Sequence, residues 1–101
     1  NQIVPEAWID DLETGGDAQA WKTGDFVDHF PGLPIRYRSK WYVLEESSPI
    51  LFCLGIHGQY LFVDRENEIS IAKHSSRGLP LDEGDENLAI QAALAIRERL
   101  I

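Results

Sequence analysis

Between Pro49 and His74 the chain carries three strand-length segments separated by very short breaks. Connections that short cannot carry a crossover, so the segments must pair antiparallel as a meander. Ile50-Leu51-Phe52-Cys53-Leu54 is apolar throughout, the pattern of a central strand covered on both faces. A break at His57 separates it from the next segment, and Arg65-Glu66-Asn67 forms a tight turn after that. The last segment alternates, with Ile69, Ile71 and Lys73 on one face.

Upstream, residues 36–45 set Arg36, Arg38 and Lys40 against Tyr37, Trp41 and Val43, with a lapse in the period near Ser39. Ser47-Ser48-Pro49 turns the chain into the meander. Strands are therefore expected over residues 36–45, 50–56, 58–64 and 68–74. Residues 4–13 read as a helix that opens on Pro5, places Trp8, Ile9 and Leu12 on one stripe and stops at Gly15-Gly16. Residues 85–100 read as a second helix, capped by Asp82 or Asp85, with Leu88, Ala92, Ala95, Ile96 and Leu100 as its apolar face. Arg97 and Arg99 stand in its last turn, where the helix dipole favours cations. Residues 17–34 read as irregular because of Pro31-Gly32 and Pro34, and Trp21, Phe26 and Phe30 within them are expected to pack. The expected fold is α+β, an antiparallel β-meander packed against N-terminal and C-terminal helices in one domain over residues 1–101.

Charge narrows the partners. Seventeen Asp and Glu against nine Lys and Arg give a formal net charge of −8. Such a surface repels nucleic acid. Arg36, Arg38 and Lys40 read as a solvated strand face rather than a phosphate site. No apolar stretch is long enough to span a membrane. A lone cysteine, Cys53, makes no internal disulfide. His29, His57 and His74 lack metal-ligand spacing, and no phosphate loop is present, so no metal or cofactor is expected. Asp64 and Glu66 read as solvated turn carboxylates. Cys53 with His57 invites a thiol–imidazole pair, but a small buried residue on a core strand is the plainer reading.

Two short patterns imitate catalytic motifs. Ser70-Ile71-Ala72-Lys73 spells Ser-x-x-Lys, and Lys22-Thr23-Gly24 spells Lys-Thr-Gly, both elements of active-site serine enzymes. Ser-x-x-Lys works on a helix, where the first and fourth residues share a face. On a strand those residues point to opposite faces, roughly 10 Å apart along the chain. The order is also reversed, since the serine motif should come first. Neither is read as catalytic.

Three stretches carry a more specific pattern: Tyr37-Arg38-Ser39-Lys40-Trp41-Tyr42-Val43, then Gly55-Ile56-His57-Gly58-Gln59-Tyr60-Leu61-Phe62-Val63-Asp64, then Ile69-Ser70-Ile71-Ala72-Lys73-His74-Ser75-Ser76. Together with Val-Pro-x-x-Trp at Val4 to Trp8 and the helix from Asp85, they resemble the C-terminal region of serine hydrolases of the β-lactamase-like family, the class C β-lactamases and 6-aminohexanoate-dimer hydrolases.

The resemblance implies a partial β-lactamase-like fold and amide or ester hydrolysis by a longer parent. It puts the nucleophile and the tyrosine motif upstream, so this chain alone is expected to be inactive. It places the third motif on Cys53-Leu54-Gly55, where Lys and Thr are replaced. Substrate-binding positions are then Cys53, Leu54, Gly55 and His57, and the backbone N–H of Ile56 is one oxyanion donor. The implied partners are the missing N-terminal portion of the parent or a second copy in a homodimer, joined through sheet edges or through the aromatics of residues 21–30. A non-catalytic structural or interaction module that keeps this part of the fold is the alternative.

Overall fold

The computed structural model describes residues 3–30, 32–45, 48–79 and 82–101, without the side chains of His29 and Glu83. Pro31 and Ser47, read above as parts of a break and a turn, lie outside the described residues. Five strands form one antiparallel sheet in chain order: β1 (Ile35–Arg38), β2 (Trp41–Leu44), β3 (Ile50–Gly55), β4 (Gln59–Asp64) and β5 (Ile69–Lys73). The short connections enforce this order, and β3 takes the middle place.

Residues 36–45 form a hairpin rather than one strand. Arg38 pairs with Trp41 across Ser39 and Lys40, whose φ angles are 52° and 72°. Two successive left-handed residues make the tight turn that matches the twist of the flanking strands. The turn removes Lys40 from the face of Arg36 and Arg38. On that face Arg38 stays half exposed, but Arg36 is mostly covered, because α1 (Glu6–Thr14) ends against it. Arg36 Nη2 donates to the Glu13 carbonyl at 2.7 Å, its Nη1 donates to the Gly15 carbonyl, and Arg38 Nε meets Asp11 at 2.6 Å. Cations belong at a helix C-terminus, where carbonyls lack partners.

Each sheet face buries its own cluster. On one face, Leu12 of α1 covers Val43 and Leu51, with Trp41 and Val63 beside them. On the other, Phe30, Ile50, Phe52 and Phe62 pack with Ile90 and Ala93 of α3 (Glu83–Leu100). Ile50, Leu51 and Phe52 are all buried, as a central strand covered on both faces requires.

Residues 17–34 are not wholly irregular. Asp17 accepts from the N–H groups of Gln19 (2.9 Å) and Ala20 (3.3 Å) and caps α2 (Ala18–Lys22). A 3-10 turn follows at Val27–His29. A five-residue helix is too short to show a period in the sequence. Trp21 and Phe30 are buried; Phe26 is half exposed.

The buried face of α3 also differs from the expected one. Glu86, Ala89, Ile90, Ala93 and Arg97 face inward, while Leu88, Ile96 and Leu100 are exposed. Ala89, Ile90 and Ala93 meet the sheet, and the two charged ends of this face find ion-pair partners, Arg77 for Glu86 and Asp64 for Arg97. Side-chain polarity alone would have put both residues in water.

Candidate functional site

Gly55 ends β3 and Gln59 begins β4 directly opposite it. Ile56, His57 and Gly58 cross between them as a tight turn that is kinked at His57. His57 (φ 64°) and Gly58 (φ 84°) are both left-handed. A Cβ at position 58 would lie 2.9 Å from Ser75 Oγ, so space as well as backbone demands glycine there. His57 adopts the left-handed form at about 1–2 kcal/mol.

Contacts from the segment after β5 offset that strain. The Arg77 N–H donates to the His57 carbonyl at 3.2 Å, and His57 Nδ1 lies 2.8 Å from the Arg77 carbonyl oxygen. A carbonyl only accepts, so Nδ1 carries the proton and Nε2 of the neutral ring is left as an acceptor. Lys73 Nζ donates to the Gly58 carbonyl at 2.8 Å. Arg77 is anchored in turn: its Nη2 donates to Glu86 Oε1 at 2.8 Å, its Nη1 stands 3.4 Å from Asp85, and its Nε donates to the Leu79 carbonyl at 3.0 Å. Glu86 is fully buried in the first turn of α3, where the helix dipole also favours an anion. A continuous polar connection therefore runs from α3 through Arg77 to the β3–β4 turn. Arg77 lies between β5 and α3, and no motif in the sequence marks it.

The proposed site positions do not share one surface. Cys53 and Gly55 lie on the α1 face of the sheet and, with Gln59, Ala72 and His74, line an open depression of ≈ 340 Å³. Leu54 points to the opposite face and packs on the main core. His57 and Ile56 lie beyond the sheet end, and Ile56 is 59% exposed. As the first residue of its turn, Ile56 has an N–H that the turn itself does not use. Gly55 has a packing reason of its own, since a Cβ there would sit 3.3 Å from Gln59 Cβ.

Burial pushes the Cys53 thiol up, so it stays protonated at neutral pH. A nucleophilic thiolate needs the reverse, and the His57 ring is already held by Arg77. Ser70 and Lys73 stand on opposite faces of β5: Ser70 is exposed, while Lys73 turns to Gly58. Lys22-Thr23-Gly24 ends α2 instead of lying on a strand. Among the described residues no group of three or more His, Cys, Asp or Glu is placed to hold a metal, and no helix is long and apolar enough to cross a membrane.

A larger concavity, ≈ 600 Å³, lies between α2 and the β1–β2 hairpin, walled by Trp21, Phe26, Tyr37 and Tyr42. Burial, with the nearby Tyr37, Glu86 and Cys53, raises the Tyr42 phenol above its ordinary value. The sequence marks Trp21 and Phe26 as packing residues but does not bring them together with Tyr37 and Tyr42 as a cleft.

The chain is similar to 6-aminohexanoate-dimer hydrolase of Paenarthrobacter ureafaciens, with 28% identity over 75 residues. The match covers 74% of this chain and 19% of the hydrolase, so the chain spans about a fifth of the length of that relative. No family model matches the chain, and no solved structure matches it.

Proposed function

We propose that the chain is part of a β-lactamase-like serine hydrolase acting on amides or esters, in which β3 borders the substrate cleft and the Ile56 N–H is one of two oxyanion donors. The observation that carries this reading is the β3–β4 turn. It leaves an N–H outside its own hydrogen bonding, and a polar connection to α3 fixes its left-handed residues. The similarity to a hydrolase, over 75 residues, supports the same assignment.

The chemistry requires little of the side chains. When a nucleophile adds to an amide or ester carbonyl, the oxygen gains negative charge, and a preorganised N–H lowers that barrier by about 3–4 kcal/mol. A backbone donor works whatever side chain it carries, so Cys53 and Leu54 can replace the Lys and Thr of the usual motif. Cys53 and Gly55 would border the substrate, Leu54 would anchor the strand from the core side, and His57 Nε2 would accept from a substrate N–H or O–H. The nucleophile and its base would come from a portion outside these residues, which is the partner this reading requires.

A chromogenic ester tests the first half. The chain alone should give no turnover above buffer and no labelling by a fluorophosphonate. Turnover that disappears in Ser70→Ala would overturn the reading. The second half is tested where this chain is joined to a portion bearing the nucleophile. There Ile56→Pro, which removes the N–H, should lower kcat by about 100-fold or more, while Ile56→Ala keeps it within a few-fold. Equal effects from the two, with circular dichroism unchanged, would remove Ile56 from the oxyanion site.

A further inference from the structure

Two consecutive carbonyls of the β3–β4 turn are held from outside it. The His57 carbonyl accepts from the Arg77 N–H at 3.2 Å, and the Gly58 carbonyl accepts from Lys73 Nζ at 2.8 Å. Each contact fixes one peptide plane, the first between His57 and Gly58, the second between Gly58 and Gln59. Between them the two planes define the backbone angles of Gly58, whose φ is 84°. Lys73 is placed for this by the sheet: it ends β5 directly opposite Tyr60, and its ammonium stands over the Tyr60 ring, 5.7 Å from the centroid.

A lysine at a strand end normally extends its ammonium to water. Arg36, Arg38, Arg65, Arg77 and Arg97 each lie within ion-pair distance of a carboxylate. Among the described residues Lys73 has no such partner, and its charge meets a backbone carbonyl and an aromatic face instead. A charge-assisted hydrogen bond of this kind is roughly twice as strong as a neutral one. Glycine at 58 makes room for it. A Cβ there would stand 3.3 Å from Lys73 Nζ and from Arg77 Nη1, and 2.9 Å from Ser75 Oγ, crowding the ammonium away from the carbonyl.

We propose that Lys73 is a positioning residue for the oxyanion turn: by holding the Gly58 carbonyl it keeps the turn in the form that presents the Ile56 N–H to the cleft. The proposal rests on the functional reading given above and adds a residue to it. Every contact it uses is internal to the chain. Lys73 touches neither substrate nor nucleophile and acts through the turn. A donor stabilises the oxyanion only when it is preorganised, so a turn that samples other forms loses kcat while substrate still binds. The lysine of the Ser70–Lys73 pattern thus serves the reaction without being the base of a serine, since it stands on the face of β5 opposite Ser70.

Two measurements test it. In the 101-residue chain the Arg77 amide reports on the turn, because it donates to the His57 carbonyl. Lys73→Met should speed its exchange about tenfold or more relative to the amides of β3, and Lys73→Arg, which keeps the charge and the donors, should recover most of the difference. Where the chain is joined to a portion bearing the nucleophile, Lys73→Met should lower kcat about tenfold or more with KM within about twofold, and Lys73→Arg should restore most of it. An Arg77 amide whose exchange only follows that of β3 would overturn the proposal. So would equal kcat losses in the two Lys73 variants, or a change in KM alone, which would make Lys73 a substrate contact. Ile56→Pro separates this proposal from the reading it rests on. A low kcat in Ile56→Pro beside an unchanged kcat in Lys73→Met would strike out Lys73 and leave the oxyanion donor in place. An unchanged kcat in Ile56→Pro would remove the donor, and the proposal with it.

Discussion

Arg97, in the last turn of α3, reaches Asp64 at the end of β4, with 3.4 Å between Nη1 and Oδ2. Asp64 also accepts from the Asn67 N–H (3.0 Å) and from Asn67 Nδ2 (2.8 Å), which closes the β4–β5 turn. Arg97 donates further to the Ser48 carbonyl, at the entrance to β3. The buried Arg97–Asp64 pair thereby ties the final helix to two connections of the sheet. Asp64 is not the solvated turn residue that its sequence context suggests. Removing it leaves the Arg97 charge buried without its anion, and Asp64→Ala should lower unfolding free energy in urea by about 3 kcal/mol. A loss below about 1 kcal/mol would show that water replaces the carboxylate without penalty.

The same carboxylate makes stability depend on pH. Burial alone would raise its pKa, but the hydrogen bonds from Asn67 and the charge of Arg97 outweigh burial and hold it below the ordinary value. A group lowered in the folded state stabilises fully above its unfolded pKa, about 3.9 for Asp. That contribution disappears as pH falls through the folded value. The urea midpoint should therefore drop on acidification below about pH 4, and Asp64→Asn should have a shallower drop. Identical acid slopes in the two proteins would assign the effect to other carboxylates.

The strands of the meander were legible in the sequence because their connections are too short for anything but antiparallel pairing. The β1–β2 hairpin was not, because Ser39-Lys40 lacks the Asn or Gly that usually marks two left-handed residues. The inward face of α3 was misread for a different reason. Its ends are Glu86 and Arg97, and polarity in a sequence does not reveal that a buried partner waits for each. The candidate site was legible only as a position, residues 53–57. The Arg77–Glu86 connection that holds it joins residues from two elements and has no sequence pattern.

That connection gives the third prediction. Arg77→Ala breaks the contacts to His57 only indirectly, through its guanidinium, yet it also deprives buried Glu86 of a cation. Stability should fall by about 2–4 kcal/mol, and the amides of residues 56–58 should exchange faster than those of β3. Arg77→Lys keeps the charge but loses the fork, and should lie between. If turn exchange tracked global stability alone, Arg77 would have no local role in the turn.

Gly58 offers a cleaner local test. Its φ of 84° and the 2.9 Å that would separate a Cβ from Ser75 Oγ both penalise any side chain. Gly58→Ala should lower unfolding free energy by about 1–3 kcal/mol. Adding Ser75→Gly removes the contact and leaves the backbone strain, so it should recover only part of the loss. Full recovery would mean that the left-handed backbone costs nothing here, and no recovery would mean that the Ser75 contact is irrelevant.

Cys53 supplies the last prediction. Its thiol is half buried and raised in pKa by that burial, and no described contact makes it a thiolate. Alkylation by iodoacetamide at neutral pH should be slower than that of a free cysteine, and its acceleration should set in at higher pH than for the free thiol. Cys53→Ser should leave any esterase activity of the protein joined to its nucleophile within a few-fold, because the strand would act through its backbone. Fast alkylation at neutral pH, together with loss of activity in Cys53→Ser, would instead make the thiol a reacting group and replace the oxyanion reading of this strand.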